Sequence, residues 1–337
     1  HGDVHDHRTH LMARSPLIAA LLAALLGCWL FFAPSGHAAE AAPSAEKRAL
    51  AFLAAEVPKW ARENRCYTCH NNGDAVRALA HGLRDRVITD SSAIQDTLNF
   101  LNKPASWHAN GPEGPFKDKR LARIQFAAAL AETRRCNLQA SQRALGEAAA
   151  LVAELQAPAG FWESDTGGAI GSPVTYGRTL ATAMTLGTLT TASQDKYEEP
   201  IRRARAWLEQ LEPKNVLEAS SVLWGLADDR SVAASRQQER ALAMLARGES
   251  PDGGWGPFVD APPEVFDTAL ALVALARYPD HKGVDGWIRR GRSFLLERQQ
   301  DDGSWPATTR PAGGDSYAGQ LSTTAWATQA LLATHAK

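Results

Sequence analysis

Cysteine is scarce in this sequence: there are four in 337 residues, and none follows Cys136. So low a density excludes a disulfide-built scaffold. Net charge is scarce too, with 36 basic residues against 37 acidic ones. That balance excludes a nucleic-acid partner held by a basic field, and it excludes strong electrostatic attachment to a membrane surface. Strand signals are few, and the one long apolar run is 17–33. With Met12-Ala-Arg14 before it and Gly36-His37-Ala38 behind, this run reads as a signal peptide, residues 12–38. The histidine-rich residues 1–11 upstream read as an extension or cloning remnant. A periplasmic or secreted protein is expected, membrane-anchored only if the N-terminal signal stays uncleaved.

Cleavage after Ala38 leaves residues 39–337, enough for a single domain with a sizeable core. It also removes Cys28, leaving Cys66, Cys69 and Cys136, an odd number for a disulfide framework. Two of these lie in Cys66-Tyr-Thr-Cys69-His70. C-x-x-C-H is the attachment pattern of c-type haem, with both thiols bonded to the vinyl groups and the adjacent imidazole as proximal iron ligand. The alternatives are a disulfide between Cys66 and Cys69, and zinc held by Cys66, Cys69, His70 and Cys136. A histidine directly beside a chelating cysteine suits zinc poorly, so no zinc is expected.

Helical periodicity runs through the rest of the chain, and it repeats. "RGRSFLLERQQDDGSW" (290–305) aligns without a gap on "RALAMLARGESPDGGW" (240–255) and on "EAAALVAELQAPAGFW" (147–162). Shorter echoes stand at 203–208, 48–53 and 96–101. These segments carry one apolar stripe, as Ile288, Gly291, Phe294 and Leu295 opposite Arg289, Arg290 and Arg292, which marks an outer helix. Between them lie segments apolar or small nearly all round, such as "TALALVALA" (268–276) and "TTAWATQALLA" (323–333), which marks inner helices. Six outer and inner pairs predict an all-α fold, an α/α toroid of six helical hairpins around a central cavity.

The string Arg290-Gly-x-x-Phe-Leu-x-x-x-Gln299-x-x-x-Gly303-x-Trp305 resembles the QW motif of the squalene–hopene cyclase and prenyltransferase superfamily, whose fold is this toroid. The resemblance spans nearly all of residues 39–337, and it implies a scaffold role for Gln299, Trp305, Trp255 and Trp162. Class II cyclases of that superfamily protonate their substrate with a D-x-D-D acid. Here the matching residues are Glu264, Val265, Phe266 and Asp267, which puts a phenyl ring at the acid's position. A functional class II cyclase is therefore not expected, the more so because the chain has about half the length of a two-domain cyclase. Asp267 reads instead as an N-cap-type residue. The zinc ligands of the protein prenyltransferases have no counterparts, since the late histidines are only His281 and His335.

Haem c thus carries the expected function: an exported monohaem redox protein, in electron transfer or oxidation of an apolar small molecule, with a redox partner or that molecule as its partner. Cys66 and Cys69 anchor the haem, His70 ligates the iron, and His108 in the next loop is the candidate distal ligand or acid/base group. Tyr176, Trp224, Asp267 and Trp326 are the candidate cavity residues, and Met184 is an alternative sixth ligand or a core residue. His81 reads as a helix-face histidine and Cys136 as a small apolar group opening an outer helix. The alternatives are a non-enzymatic binding or scaffolding toroid pinned by a Cys66–Cys69 disulfide, and a terpenoid-processing enzyme using Glu264 and Asp267 without the D-x-D-D acid. Whether the protein is an enzyme stays open at this level.

Overall fold

The computed structural model describes residues 43–109, 119–310 and 314–335. The upstream extension, the signal peptide and Cys28 lie outside the described residues. The chain divides into residues 1–42 and 43–337, and the second unit holds every element below.

Among the described residues there are twelve α-helices, in six consecutive pairs. They are α1 (Ala45–Asn64) with α2 (Val76–Arg84), α3 (Ser92–Leu101) with α4 (Lys119–Arg135), and α5 (Gln142–Ala153) with α6 (Arg178–Ala192). Then follow α7 (Glu198–Gln210) with α8 (Val216–Gly225), α9 (Val232–Gly248) with α10 (Val265–Leu275), and α11 (Val284–Glu297) with α12 (Tyr317–Ala333). Each even-numbered helix packs against the next, and α12 packs back against α2, which closes the inner ring. The all-α toroid predicted from the repeat is the fold.

Local chemistry explains the division of labour. Outer helices bury one stripe, as α7 does with Ile201, Ala204 and Leu208. Inner helices are buried on nearly every side, and in α12 this holds from Leu321 to Leu332. Threonine and serine survive there because their hydroxyls bond the carbonyl four residues back, as Thr185 to Ala181, Thr323 to Gly319 and Thr328 to Thr324.

The repeat motif is the seam between hairpins. Trp162, Trp255 and Trp305 are fully buried, and each indole N–H donates to the carbonyl ten residues earlier, on Val152, Leu245 and Leu295. Each of their backbone N–H groups donates to a threonine of the following inner helix, Thr182, Thr268 and Thr324. Gln299 reaches the first helix of the chain: its amide donates to the Ala45 carbonyl at 2.9 Å and its oxygen accepts from Arg48. Gln156 makes the same pair of bonds to Pro200 and Arg203. Gly303 adopts φ 90°, and a Cβ there would lie 2.5 Å from the Arg48 carbonyl oxygen, so glycine is required. The last motif thus locks the end of the ring onto its beginning.

Candidate functional site

The loops carrying these seams join the outer helices to the N-termini of the inner ones, and that end of the ring is closed. Its centre is a buried polar network begun by the segment that carries the C-x-x-C-H motif. Cys69–Ala75 forms a π-helical turn leading directly into α2, its N-terminus capped by Thr68. The turn brings His70 and Asp74 inside the ring, 5 % and 0 % exposed. Ser322 of α12 donates its hydroxyl proton to Asp74 Oδ2 at 2.8 Å, and its Oγ lies 3.0 Å from His70 Nδ1. With its one proton committed to Asp74, Ser322 accepts from the imidazole. Tyr176 donates to Asp74 Oδ1, Gln125 donates to Oδ2 at 3.4 Å, and Arg77 stands 3.5 Å from Oδ1.

Burial pushes the Asp74 carboxyl up to about 6, against the opposing pull of Arg77 and of the Tyr176, Ser322 and Gln125 hydrogen bonds. Burial pushes the His70 imidazole down to about 4, so it is neutral above that pH. A neutral histidine and a carboxyl that holds its proton in mildly acidic solution are thus linked through one serine. Beside them, the Arg77 guanidinium lies over the faces of Trp326 and Trp224, at 4.6 and 5.6 Å from the ring centres. Trp326 in turn meets Tyr176, Trp224 and Phe266 edge to face.

A second buried carboxyl stands at the N-terminus of α10. Asp267 is ion-paired with Arg310, which also lies 3.3 Å from Glu264, while its Oδ1 has no hydrogen-bond partner. Burial, helped by the Glu264 charge and opposed by Arg310, pushes Asp267 up to about 7. Glu264 is the helix N-cap, and Asp267 sits in the first turn facing Arg310, which corrects the N-cap expectation. Phe266 is fully buried against Trp326, so the position matching the cyclase acid holds packing and no proton.

The other end of the ring is open. A cavity of about 510 Å³ runs inward from the C-termini of all six inner helices. Its deepest side chains include Arg77 and Trp224, and its walls include Ala128, Met184, Leu186 and Val273. At the rim stand Arg84, Arg135, Arg205 and Arg277, each paired with a carboxylate, on Asp85, Glu132, Asp229 and Asp228. Arg77 therefore joins the two ends: one face looks into the cavity and the other touches Asp74.

The predicted site residues are distributed unevenly over this arrangement. Trp224 and Met184 line the cavity. Tyr176, expected to line the cavity, precedes α6 in a left-handed conformation (φ 61°), and with Trp326 and Asp267 it is sealed in the closed end. Cys66 and Cys69 are partly buried, and Cys69 Sγ is 3.5 Å from His70 Nε2. His108 is exposed on the turn Pro104–Ala109, while its neighbour Trp107 packs on Phe100 and Phe126. Cys136 follows the inner helix α4 and opens no outer helix, and it lies beside His81 and Glu132. Asp74, Arg77, Gln125, Ser322 and Arg310 were missed, because they come from three hairpins distant in sequence and only ring closure brings them together.

The fold is that of the terpene cyclases. The type II terpene cyclase MstE from Scytonema superposes with a TM-score of 0.57 at 14 % identity, covering 86 % of this chain and 98 % of that one. A variant of MstE in complex with geranylgeranyl dihydroxybenzoate, its substrate, gives 0.56 at 13 % identity, over 86 % and 97 %. A protein from Actinoplanes gives 0.55 at 15 % identity, over 87 % and 99 %. In sequence, drimenyl diphosphate synthase from Streptomyces showdoensis is 40 % identical over 79 residues, which span 23 % of this chain and 15 % of that protein. No protein-family profile matches the chain. Similarity to a terpene cyclase and a terpenoid synthase overturns the reading as a haem redox protein in electron transfer. The length objection falls as well, since a type II cyclase chain is matched almost end to end.

Proposed function

We propose that this protein is a terpenoid-processing enzyme that takes the hydrocarbon chain of an isoprenoid into the cavity between its inner helices and uses Asp74 to supply the proton. The observation that carries this reading is the buried Asp74 carboxyl, hydrogen-bonded by Tyr176, Ser322 and Gln125 and in contact with Arg77, which itself lines the cavity between the inner helices. A phenyl ring at residue 266 removes a proton donor from that position only. The closed end supplies another from a different hairpin.

In this scheme the Arg77 side chain turns away from the aromatic faces, and the chain end of the substrate takes its place against Trp224 and Trp326. The carboxyl proton of Asp74 adds to one alkene carbon, the π electrons form the new C–H bond, and positive charge is left on the neighbouring carbon. Indole faces stabilise that charge. Attack by a second alkene moves the charge onward, and loss of a proton to a base ends the reaction, so the product is an isomer of the substrate. Tyr176, Ser322 and His70 hold the carboxyl in place and offer a path by which its proton returns.

Incubating the full chain with linear prenyl diphosphates and with prenylated aromatics, in H2O and in D2O, tests the reading by mass spectrometry. Cyclised isomers that gain one deuterium in D2O are expected. Failure to convert any linear isoprenoid overturns the reading, and unchanged conversion by Asp74→Asn removes Asp74 as donor.

A further inference from the structure

His81, Glu132 and Cys136 form a cluster that neither the repeat nor the proton network uses. His81 is on α2, Glu132 lies on the last turn of α4 and Cys136 follows directly after it, so residues 55 positions apart in sequence meet at the cavity rim. His81 Nε2 lies 3.2 Å from Glu132 Oε1, and one ligand atom from each of the three residues falls within 4.8 Å of the others. The cysteine is a free thiol, 5 % exposed, while the histidine and glutamate side chains are 20 % and 12 % exposed.

We propose that His81, Glu132 and Cys136 form a binding site for a zinc-class divalent metal at the rim of the cavity, with one coordination position left open toward it. One nitrogen, one oxygen and one sulfur is a ligand set that suits zinc, and three protein ligands with a fourth position free is the arrangement that lets a metal meet a ligand's oxygen atom. Arg135 donates to Glu132 Oε2 at 3.0 Å, which orients the carboxylate and leaves Oε1 for the metal. His81 and Glu132 both line the cavity, so the open position faces it. The field at this end favours a cation: the C-termini of six inner helices converge there, and each helix C-terminus carries partial negative charge. Arg77, Arg84 and Arg135 are the opposing charges. They are paired with Asp74, Asp85 and Glu132, and binding exchanges the thiol proton of Cys136 for the metal, so carboxylate and thiolate together bring two negative charges.

The site does not depend on the terpenoid reading, because its test reads metal and not turnover. Full chain stripped with a chelator is titrated with Co²⁺, and the near-ultraviolet thiolate-to-cobalt band and the visible bands of a tetrahedral ion are followed. Saturation at one ion per chain is expected, with Zn²⁺ displacing the cobalt. The thiolate band is lost in Cys136→Ser and retained in Cys66→Ser/Cys69→Ser, while His81→Ala binds more weakly. Helical circular dichroism and melting of each apo variant separate lost ligation from lost folding. A band that survives Cys136→Ser, or wild-type protein that takes up no cobalt, overturns the proposal.

Discussion

The two ends of the ring are built from the same twelve helices and do opposite things. At the N-termini of the inner helices, three seams repeat one set of bonds, and the interior is filled by Trp326, Tyr176 and Phe266 with no exposed surface. At their C-termini the helices part around a cavity whose rim is charged and whose polar groups differ from hairpin to hairpin. The difference follows from what each end must satisfy. Three inner-helix N-termini carry seam loops of one pattern, so a glycine and a tryptophan recur at one spacing, whereas the C-termini need only be covered or hydrated and are free to diverge. The closed end therefore carries stability and the open end carries recognition. Asp74, below Arg77, is where the two meet.

That division is broken first by separating Asp74 from Asp267. On the proposed mechanism Asp74→Asn lowers turnover about 10²- to 10⁴-fold, the usual contribution of a general acid, while the helical fold is kept because the amide fills the same space. Asp267→Asn, facing Arg310 on the far side of Phe266, lowers turnover less than about tenfold. Steady-state rates measured in parallel decide between them. Equal losses would show that the carboxyls act as packing and not as donor. In stability the order reverses. Gly303→Ala forces a side chain against the Arg48 carbonyl in a left-handed conformation, and it costs about 3 kcal/mol in urea unfolding by strain and displacement of the ring closure. A cost near zero would mean that the seam at Gly303 does not close the ring.

The closed end was legible in the sequence and the open end was not. Gly303 and Trp305 recur at fixed offsets, with Gln156 and Glu249 at the position of Gln299, because every seam solves the same steric problem, and the repeat they make predicts the helix order and the toroid. Inner helices betrayed themselves by lacking a polar face, as in 268–276. The Asp74 network left no such trace: His70, Asp74 and Arg77 sit on one hairpin, but Gln125, Tyr176 and Ser322 come from three others, and only ring closure brings them within hydrogen-bond distance. Cys66-Tyr-Thr-Cys69-His70 drew the reading toward haem because its spacing is local. In the fold the same residues approach and open the π-helical turn of the first inner helix, with His70 turned inward to Ser322.

A pH series sharpens the comparison at the junction itself. Asp74 has its pKa raised by burial to about 6, so the folded chain keeps a proton that the unfolded chain loses near pH 4, and the stability this group provides is lost as pH rises through that window. His70 runs the other way: its folded value of about 4 lies below the unfolded value near 6.5, so its contribution is present above 6.5 and is lost as pH falls toward 4. Each shift of about two units corresponds to ~3 kcal/mol, and the two oppose each other. Asp267 adds a fall that continues to about pH 7. Wild-type stability therefore declines gently from pH 4 to 7, His70→Asn makes the decline steeper by about 1.4 kcal/mol per pH unit, and Asp74→Asn makes it shallower. Urea unfolding at pH 4.5, 5.5 and 6.5 reads the slopes, and parallel lines for all three proteins would uncouple the network from folding.

The smallest effect is expected at the open end. Arg277 pairs with Asp228 at 2.6 Å and Arg205 lies 3.8 Å from Asp229, but three of the four side chains are a third or more exposed. Water competes for both partners of such a pair and holding them together costs side-chain entropy, so Arg277→Ala or Arg205→Ala changes stability by no more than about 0.5 kcal/mol. The same substitutions remove positive charge from the cavity rim, beside the carbonyl ends of the inner helices, and leave Asp228 or Asp229 unpaired. An isoprenoid carrying an anionic head then meets a more negative entrance, so its KM rises while that of an uncharged isoprenoid does not. Comparing KM for the two substrate types, in each variant and at two salt concentrations, reads this directly. A KM change shared equally by charged and uncharged substrates would show that the arginines shape the opening sterically, and the rim would then be scaffold, like the seams at the other end.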